Sequence, residues 1–268
     1  MLYEFNNTDL LPTFSTEFEQ TIKRFFNHDL SGLSNSSLMN RVDSKFLLPI
    51  DALLQVLNSC NAYYSLLKID KVSVFQYNNI YFDSSNLDFY NNHHNRKLNR
   101  HKVRHRHYAD VGTSFLEVKY KNNKGRTIKN RIIADQDPII ALTKCNSFLS
   151  GHGINSTTLI PAQACNYQRI SLANDAEKER LTIDFNINFE NKMHHATADD
   201  NFSISNFFIA ELKQEKLDRK SPFYRLMRSM GIRSSGFSKY CMGQSLTNNK
   251  HIKSNRFKKN LIKLKKGA

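Results

Sequence analysis

The sequence predicts an α+β fold of about eight antiparallel strands, mostly joined by hairpins, with four or so flanking helices. Three observations carry that reading. Turn-forming clusters punctuate the centre of the chain at short intervals. Charged residues recur at every second position, the period of a strand. Glycine (9) and proline (5) are few, and 40% of the 268 residues are hydrophobic, enough for a real core and unlike a linker-rich or fibrous chain.

The elements follow in order. Residues Ser15 to Asn27 read as a helix, with Phe18, Ile22 and Phe25/Phe26 on one side and Ser15 as N-cap. Ser31 to Ser37 is a loop, and Arg41 to Leu48 a strand. Asp51 opens a short helix, Ala52 to Cys60, with Leu53, Leu54 and Leu57 inward. Phe75 to Phe82 is a strand ended by Asp83-Ser84-Ser85, where the aspartate reads as a turn cap. Arg100 to Tyr108, Phe115 to Lys121 and Arg126 to Ala134 follow, separated by turns at Asp110–Thr113 and Asn122–Gly125. Asp137-Pro138 starts a helix reaching Leu149. Ala164 to Leu172, Arg180 to Phe189 and Phe202 to Lys213 complete the strands, and Ser221-Pro222 opens a helix stopped by Gly231.

The charge balance narrows the partner. There are 39 Lys+Arg against 24 Asp+Glu, a net charge of +15, which points to a polyanion. From Asn248 to Ala268 there are eight cations and no acid, so the rest of the chain carries +7. This tail could form a helix with Ile252, Phe257, Leu261, Ile262 and Leu264 partly on one side, resting on anionic lipid or holding a polyanion such as polyphosphate or nucleic acid, or it could be a solvated terminus. The N-terminus lacks the cationic and apolar regions of a signal peptide, and the most apolar window, Phe46 to Leu57, is too short to span a bilayer. The four cysteines are scattered, without a CxxC, which is expected of reduced thiols in a cytoplasmic protein.

In RHKVRHRHY, Arg100, Lys102, Arg104 and Arg106 share one face. Glu117, Lys119 and Lys121 share a face of the next strand, and Lys129 and Arg131 of the one after. Further on, Arg180, Thr182, Asp184 and Asn186 oppose Leu181, Ile183, Phe185 and Ile187, and Glu211 and Lys213 oppose Phe208, Ala210 and Leu212. An ordinary antiparallel sheet would turn these charged faces to solvent. A closed barrel turned inside out would instead line a tunnel with them and bury the apolar faces under helices. Aligned cations repel unless an anion sits before them, and arginine forks suit phosphate oxygens. The histidines (His93-His94, His101, His105, His107, His194-His195) have no zinc-ligand spacing, and no Ser/His/Asp or Cys/His constellation is recognisable.

The ordered motifs NNIYFDSSNLDFY, KVRHRHY, FLEVKYKNNKGRTIKNR, YQR, LTIDFNI, ELK and FSKY resemble the VTC domain, the catalytic domain of the vacuolar transporter chaperone, in its bacterial form. That domain belongs to the triphosphate tunnel (CYTH-like) superfamily, and the likeness runs from about Arg41 to Gly243. It implies an eight-stranded antiparallel closed tunnel barrel with a cationic interior. It also implies a polyphosphate polymerase that passes the terminal phosphate of ATP to a growing polyphosphate chain with a divalent metal, Mn²⁺ or Mg²⁺. By the same resemblance, Lys45, Arg104, Arg106, Lys119, Lys129, Arg169, Arg180 and Lys239 would grip phosphate, with Arg100, Lys102 and Lys213 lining the same path. Glu211 would be the principal metal ligand and Glu117 a supporting carboxylate.

Two departures stand out. The ExExK run of many relatives is here Arg41-Val42-Asp43-Ser44-Lys45, which thins the acids that orient water in tunnel hydrolases. His93 stands where some eukaryotic members have arginine. The expected organisation is a helical extension over residues 1–37, the tunnel domain over 38–247 and the basic tail over 248–268. The expected partners are a nucleoside triphosphate, polyphosphate, and a membrane protein or anionic surface for the tail, with no specific nucleic acid. A tunnel hydrolase of inorganic triphosphate and a non-catalytic polyphosphate-binding module are the alternatives.

Overall fold

A computed structural model describes residues 16–30, 41–194, 196–197 and 200–266. The expected cap Ser15, the Ser31–Ser37 loop and His195 lie outside the described residues. In chain order the elements are α1 (Thr16–Lys23), β1 (Asn27–His28), β2 (Val42–Pro49), α2 (Leu53–Asn61), β3 (Ser65–Leu67), β4 (Phe75–Asp83) and α3 (Asp88–His94). The strand-rich centre is β5 (Arg100–Tyr108), β6 (Thr113–Lys121) and β7 (Thr127–Ala134), followed by α4 (Pro138–Lys144) and α5 (Asn146–Ser150). Then come β8 (Ile160–Asn174), β9 (Glu179–Asn191), β10 (Asn201–Ile204), β11 (Phe207–Gln214), α6 (Pro222–Ser229), α7 (Lys239–Thr247) and α8 (Lys258–Lys266).

Eight strands form one hydrogen-bonded path, β2-β11-β9-β8-β4-β5-β6-β7, every neighbouring pair antiparallel. Three short strands attach beside it, so the sheet has eleven strands rather than eight. The expected closure is also corrected, because no ladder joins β2 to β7 among the described residues. The free edge of β2 is instead met by the segment after α6, where Ser235 N–H donates to Lys45 C=O at 2.7 Å. The expected single strand from Phe202 to Lys213 breaks at Ser205-Asn206, because β10 pairs only with β9 while β11 must reach both β9 and β2. Likewise the expected helix to Leu149 divides at Cys145, whose backbone (φ −94°, ψ 23°) leaves helical geometry. Helices α3 and α7 are additions to the elements read from sequence.

Apolar faces turn outward under helices. Leu53, Val56, Leu57 and Cys60 of α2 recur at helical spacing and, with Phe18 and Phe223, pack on Phe46, Ile183, Phe185 and Phe208. Leu142 and Leu149 cover Val103, Leu116 and Val118 on the other side. All four cysteines are buried and free.

One irregularity splits the inner face into two regions. In the β8/β9 ladder, Asn166 faces Asn188 and Gln168 faces Phe185, so β9 carries one extra residue. Asn186 absorbs it with φ +49°. Up to this bulge the inner residues are Thr182 and Asp184. Beyond it Ile187 and Phe189 join the cluster around α7, which corrects the expectation that Ile187 continues the outer face. Helix α7 sits in that apolar end and is buried from Tyr240 to Thr247. Gly243 permits the approach: a Cβ there would lie 2.0 Å from Gln163 Nε2 and 2.6 Å from Phe189 Cδ1.

Candidate active site

The cationic faces meet inside. Register places Lys102 opposite Lys119 and Lys119 opposite Lys129, and it places Arg104 opposite Glu117 and Glu117 opposite Arg131. On the facing side Lys45 lies opposite Glu211, and Asp43 opposite Lys213. These rows enclose a cavity of about 400 Å³ lined by twelve Lys or Arg side chains and three carboxylates, Asp43, Glu117 and Glu211.

The acids do not offset this charge evenly. Each of three inner carboxylates is held by two cations. Glu211 accepts from Lys45 at 2.5 Å and lies 3.6 Å from Lys213. Glu117 pairs with Arg104 and Lys129. Asp184, behind the wall, accepts two hydrogen bonds from Arg169 at 2.5 and 2.7 Å and one from Lys239. Burial opposes ionisation of all three, but their cations outweigh it and keep each carboxyl well below the usual range.

Other cations have no acid in contact among the described residues. Arg106 donates to Asn79 Oδ1 and to the Tyr167 hydroxyl, both at 2.9 Å, and its guanidinium lies 4.9 Å from the Tyr77 ring centre. Lys102 donates to Ser238 Oγ at 2.8 Å, and that oxygen also accepts from Cys241 N–H at the start of α7. Lys119 has no hydrogen-bond partner among the described residues. Burial, with Arg104 close by, pushes its ammonium well below the usual lysine range. Burial and Arg104 push Lys129 down to about 8, against the pull of Glu117.

Of the thirteen site residues read from sequence, twelve line the cavity. Arg180 does not: it sits at the start of β9 near Asp175 and Arg41. The sequence reading passed over Asp184 as a site residue, although it is the lone acid on its strand face. It also passed over Lys121, and over Tyr81 and Tyr167, whose strand parity places them on this wall. Asp83 is a cap, as expected: buried, it accepts from the N–H groups of Ser84, Phe89 and Tyr90 and from the Tyr240 hydroxyl. His105, turned away from the cavity, bonds to Asp135 C=O at 2.8 Å.

No three His, Cys, Asp or Glu side chains gather into a metal cage among the described residues. A hard divalent cation that takes most of its oxygens from phosphate and water needs only one or two carboxylates. Glu211 fits that demand, being 17% exposed and open to the cavity. Glu117 is fully enclosed between its two cations, which suits a fixed counter-ion.

The VTC domain model matches residues 40–248. Among solved structures, the putative adenylyl cyclase HpAC1 from Hippeastrum, with a dominant triphosphatase activity, is 15% identical at a TM-score of 0.52, over 77% of this chain and 96% of that one. A putative adenylate cyclase from Bacillus halodurans is 11% identical at 0.49, over 74% and 94%. One from Vibrio parahaemolyticus is 14% identical at 0.45, over 77% and 98%. No curated protein is similar enough in sequence to count as a relative. The likeness to HpAC1 is one of fold.

Proposed function

The chain belongs to the VTC-domain family, and from that premise we propose that it is a metal-dependent polyphosphate polymerase, transferring the terminal phosphate of ATP to a growing polyphosphate chain. The observation that carries this reading is the surplus of inward cations, with Lys102, Lys119 and Arg106 in contact with no acid among the described residues. An enclosed, unneutralised cationic row is costly by itself and suits a linear chain of phosphates.

Phosphoryl transfer asks for positioning and charge neutralisation. Arg104 and Arg106 present planar forks, Arg104 fixed by Glu117 and Arg106 by Asn79 and Tyr167. Asp184 fixes Arg169 and Lys239 in the same way. Glu211 would hold Mn²⁺ or Mg²⁺, which supplies charge neutralisation on phosphate oxygens when bound. The inner carboxylates, held ionised by their cations, are weak bases. That suits an acceptor phosphate, which arrives already ionised. A hydrolase must activate water, and the exposed Asp43, tied to Arg41 at 3.0 Å, is the remaining acid in the cavity. The triphosphatase activity of HpAC1 favours hydrolysis as the second reading. On the polymerase reading the catalytic unit is residues 38–247, working in the cytoplasm. Among the described residues no helix is long and apolar enough to cross a membrane.

Incubation with ATP and Mn²⁺ or Mg²⁺, followed by gel and phosphate analysis, separates the readings. Long polyphosphate is expected. Orthophosphate without chain growth selects the hydrolase, and binding without turnover selects a holding module. Arg104→Ala and Glu211→Ala should each abolish synthesis, and full activity in either refutes the site.

A further inference from the structure

The cavity has a rim of which the catalytic reading uses Arg100 alone. Arg100, Lys121 and Thr127 form one cross-strand row at the strand ends, and all three line the cavity edge. His93 of α3 lines the same edge. Against α3 the basic tail is docked rather than loose. Arg256 donates to the His93 and His94 carbonyls, His94 Nε2 lies 2.8 Å from Asn255 Oδ1, and the Tyr90 hydroxyl donates to Lys253 C=O at 2.9 Å. The Phe257 ring packs on Tyr90, His93 and His94, and Leu261 and Leu264 are buried in the body.

Docking brings like charges together. Arg256 comes within electrostatic reach of Arg96 and Arg100, and His93 is surrounded by Lys102, Arg100, Arg256 and Lys121. Among the described residues none of these cations has a carboxylate within ion-pair distance. Arg96 is held there by an irregular turn with φ +58°, and Asn99 beside it has φ +54°. The chain thus orders its own tail so as to add a cation to a cluster that already repels it, which a bound anion would turn into an attraction.

We propose that Arg96, Arg100, Lys121 and Arg256 form a polyphosphate-binding station at the cavity rim, completed by the docked tail, which holds the run of phosphates lying next outside the catalytic cavity. The station rests on the polymerase reading for its role in synthesis, while its binding can be read without turnover. A chain gripped there stays engaged between transfers, so the station sets product length rather than the rate of a single transfer.

The test uses the full chain, Arg96→Gln, Arg256→Gln and the double variant. Titration calorimetry without metal measures binding of tripolyphosphate and of a long linear polyphosphate. Each lost charge-assisted bond should weaken long-chain binding about tenfold, with tripolyphosphate binding unchanged. Arg96→Gln makes no change to the bonds that dock the tail, so it reads the station even if Arg256→Gln frees the helix. In synthesis the double variant should consume ATP at the wild-type initial rate and make shorter chains. Equal losses for both ligands, or no loss for the long chain, overturn the proposal. If no variant or wild-type protein makes polyphosphate, the polymerase reading falls and the binding comparison still decides the station.

Discussion

Replacing Asp184 by asparagine keeps the shape of the side chain and removes its charge. The carboxylate is 1% exposed and holds Arg169 and Lys239, themselves 12% and 13% exposed. Removing one partner of a buried ion pair costs about 3–5 kcal/mol, because a charge is left uncompensated. Here both cations keep aromatic neighbours: Arg169 lies 4.8 Å from the Tyr77 ring centre and Lys239 4.4 Å from that of Tyr167. Those contacts are made in the wild type as well and offset nothing, so the loss stays at about 3–5 kcal/mol. For a domain of this size each kcal/mol moves the melting temperature by about 2–4 °C, so Asp184→Asn should melt about 6–20 °C lower. The released cations would then find their anions in the ligand. Tripolyphosphate should therefore raise the melting temperature of the variant by more than that of the wild type. Differential scanning calorimetry with and without tripolyphosphate measures both. An unchanged melting temperature, or a smaller ligand response in the variant, would refute the assignment of Asp184 as the counter-ion of this wall.

Three further outcomes are expected. Lys119→Met removes a charge without an acid in contact, so the free protein should melt higher while tripolyphosphate binds about tenfold more weakly; a drop in both points to a packing role. Lys129, pushed down to about 8 by burial and Arg104, is charged below that pH and loses its proton above it. Tripolyphosphate affinity should accordingly fall between pH 7 and 9, and Lys129→Arg should flatten the profile, since a guanidinium stays charged; an unaltered profile in the variant assigns the fall to another group. Gly243→Ala gains about 1 kcal/mol of helix propensity, but its Cβ would meet the buried Gln163 and Phe189 at 2.0–2.6 Å. Overpacking costs about 1–3 kcal/mol, so a lower denaturation midpoint is expected, and a higher one would show that α7 shifts freely.

The sequence by itself determined what depends on neighbours along the chain. Alternation on a strand put Arg100, Lys102, Arg104 and Arg106 on one face, and they do line one cavity. The order of the motifs was enough to recognise the family. The caps at Asp83 and Asp137 followed from residue type, and both carboxylates accept backbone N–H groups. Tertiary structure decided whatever depends on register between distant strands. The extra residue at Asn186 turns Ile187 and Phe189 from the outer wall to the seat of α7, and a period-two pattern carries no mark of a bulge. Lys239 reaches Asp184 across 55 positions, a pairing set by where α7 packs. The edge of β2 meets the Ser235 segment instead of β7, which leaves the sheet unclosed. The tail read as cationic and amphipathic, but its place beside His93 rests on Phe257, Leu261 and Leu264 finding a core built by other elements. Local periodicity is imposed by backbone geometry, whereas register and docking are settled only when remote apolar surfaces and opposite charges are buried together.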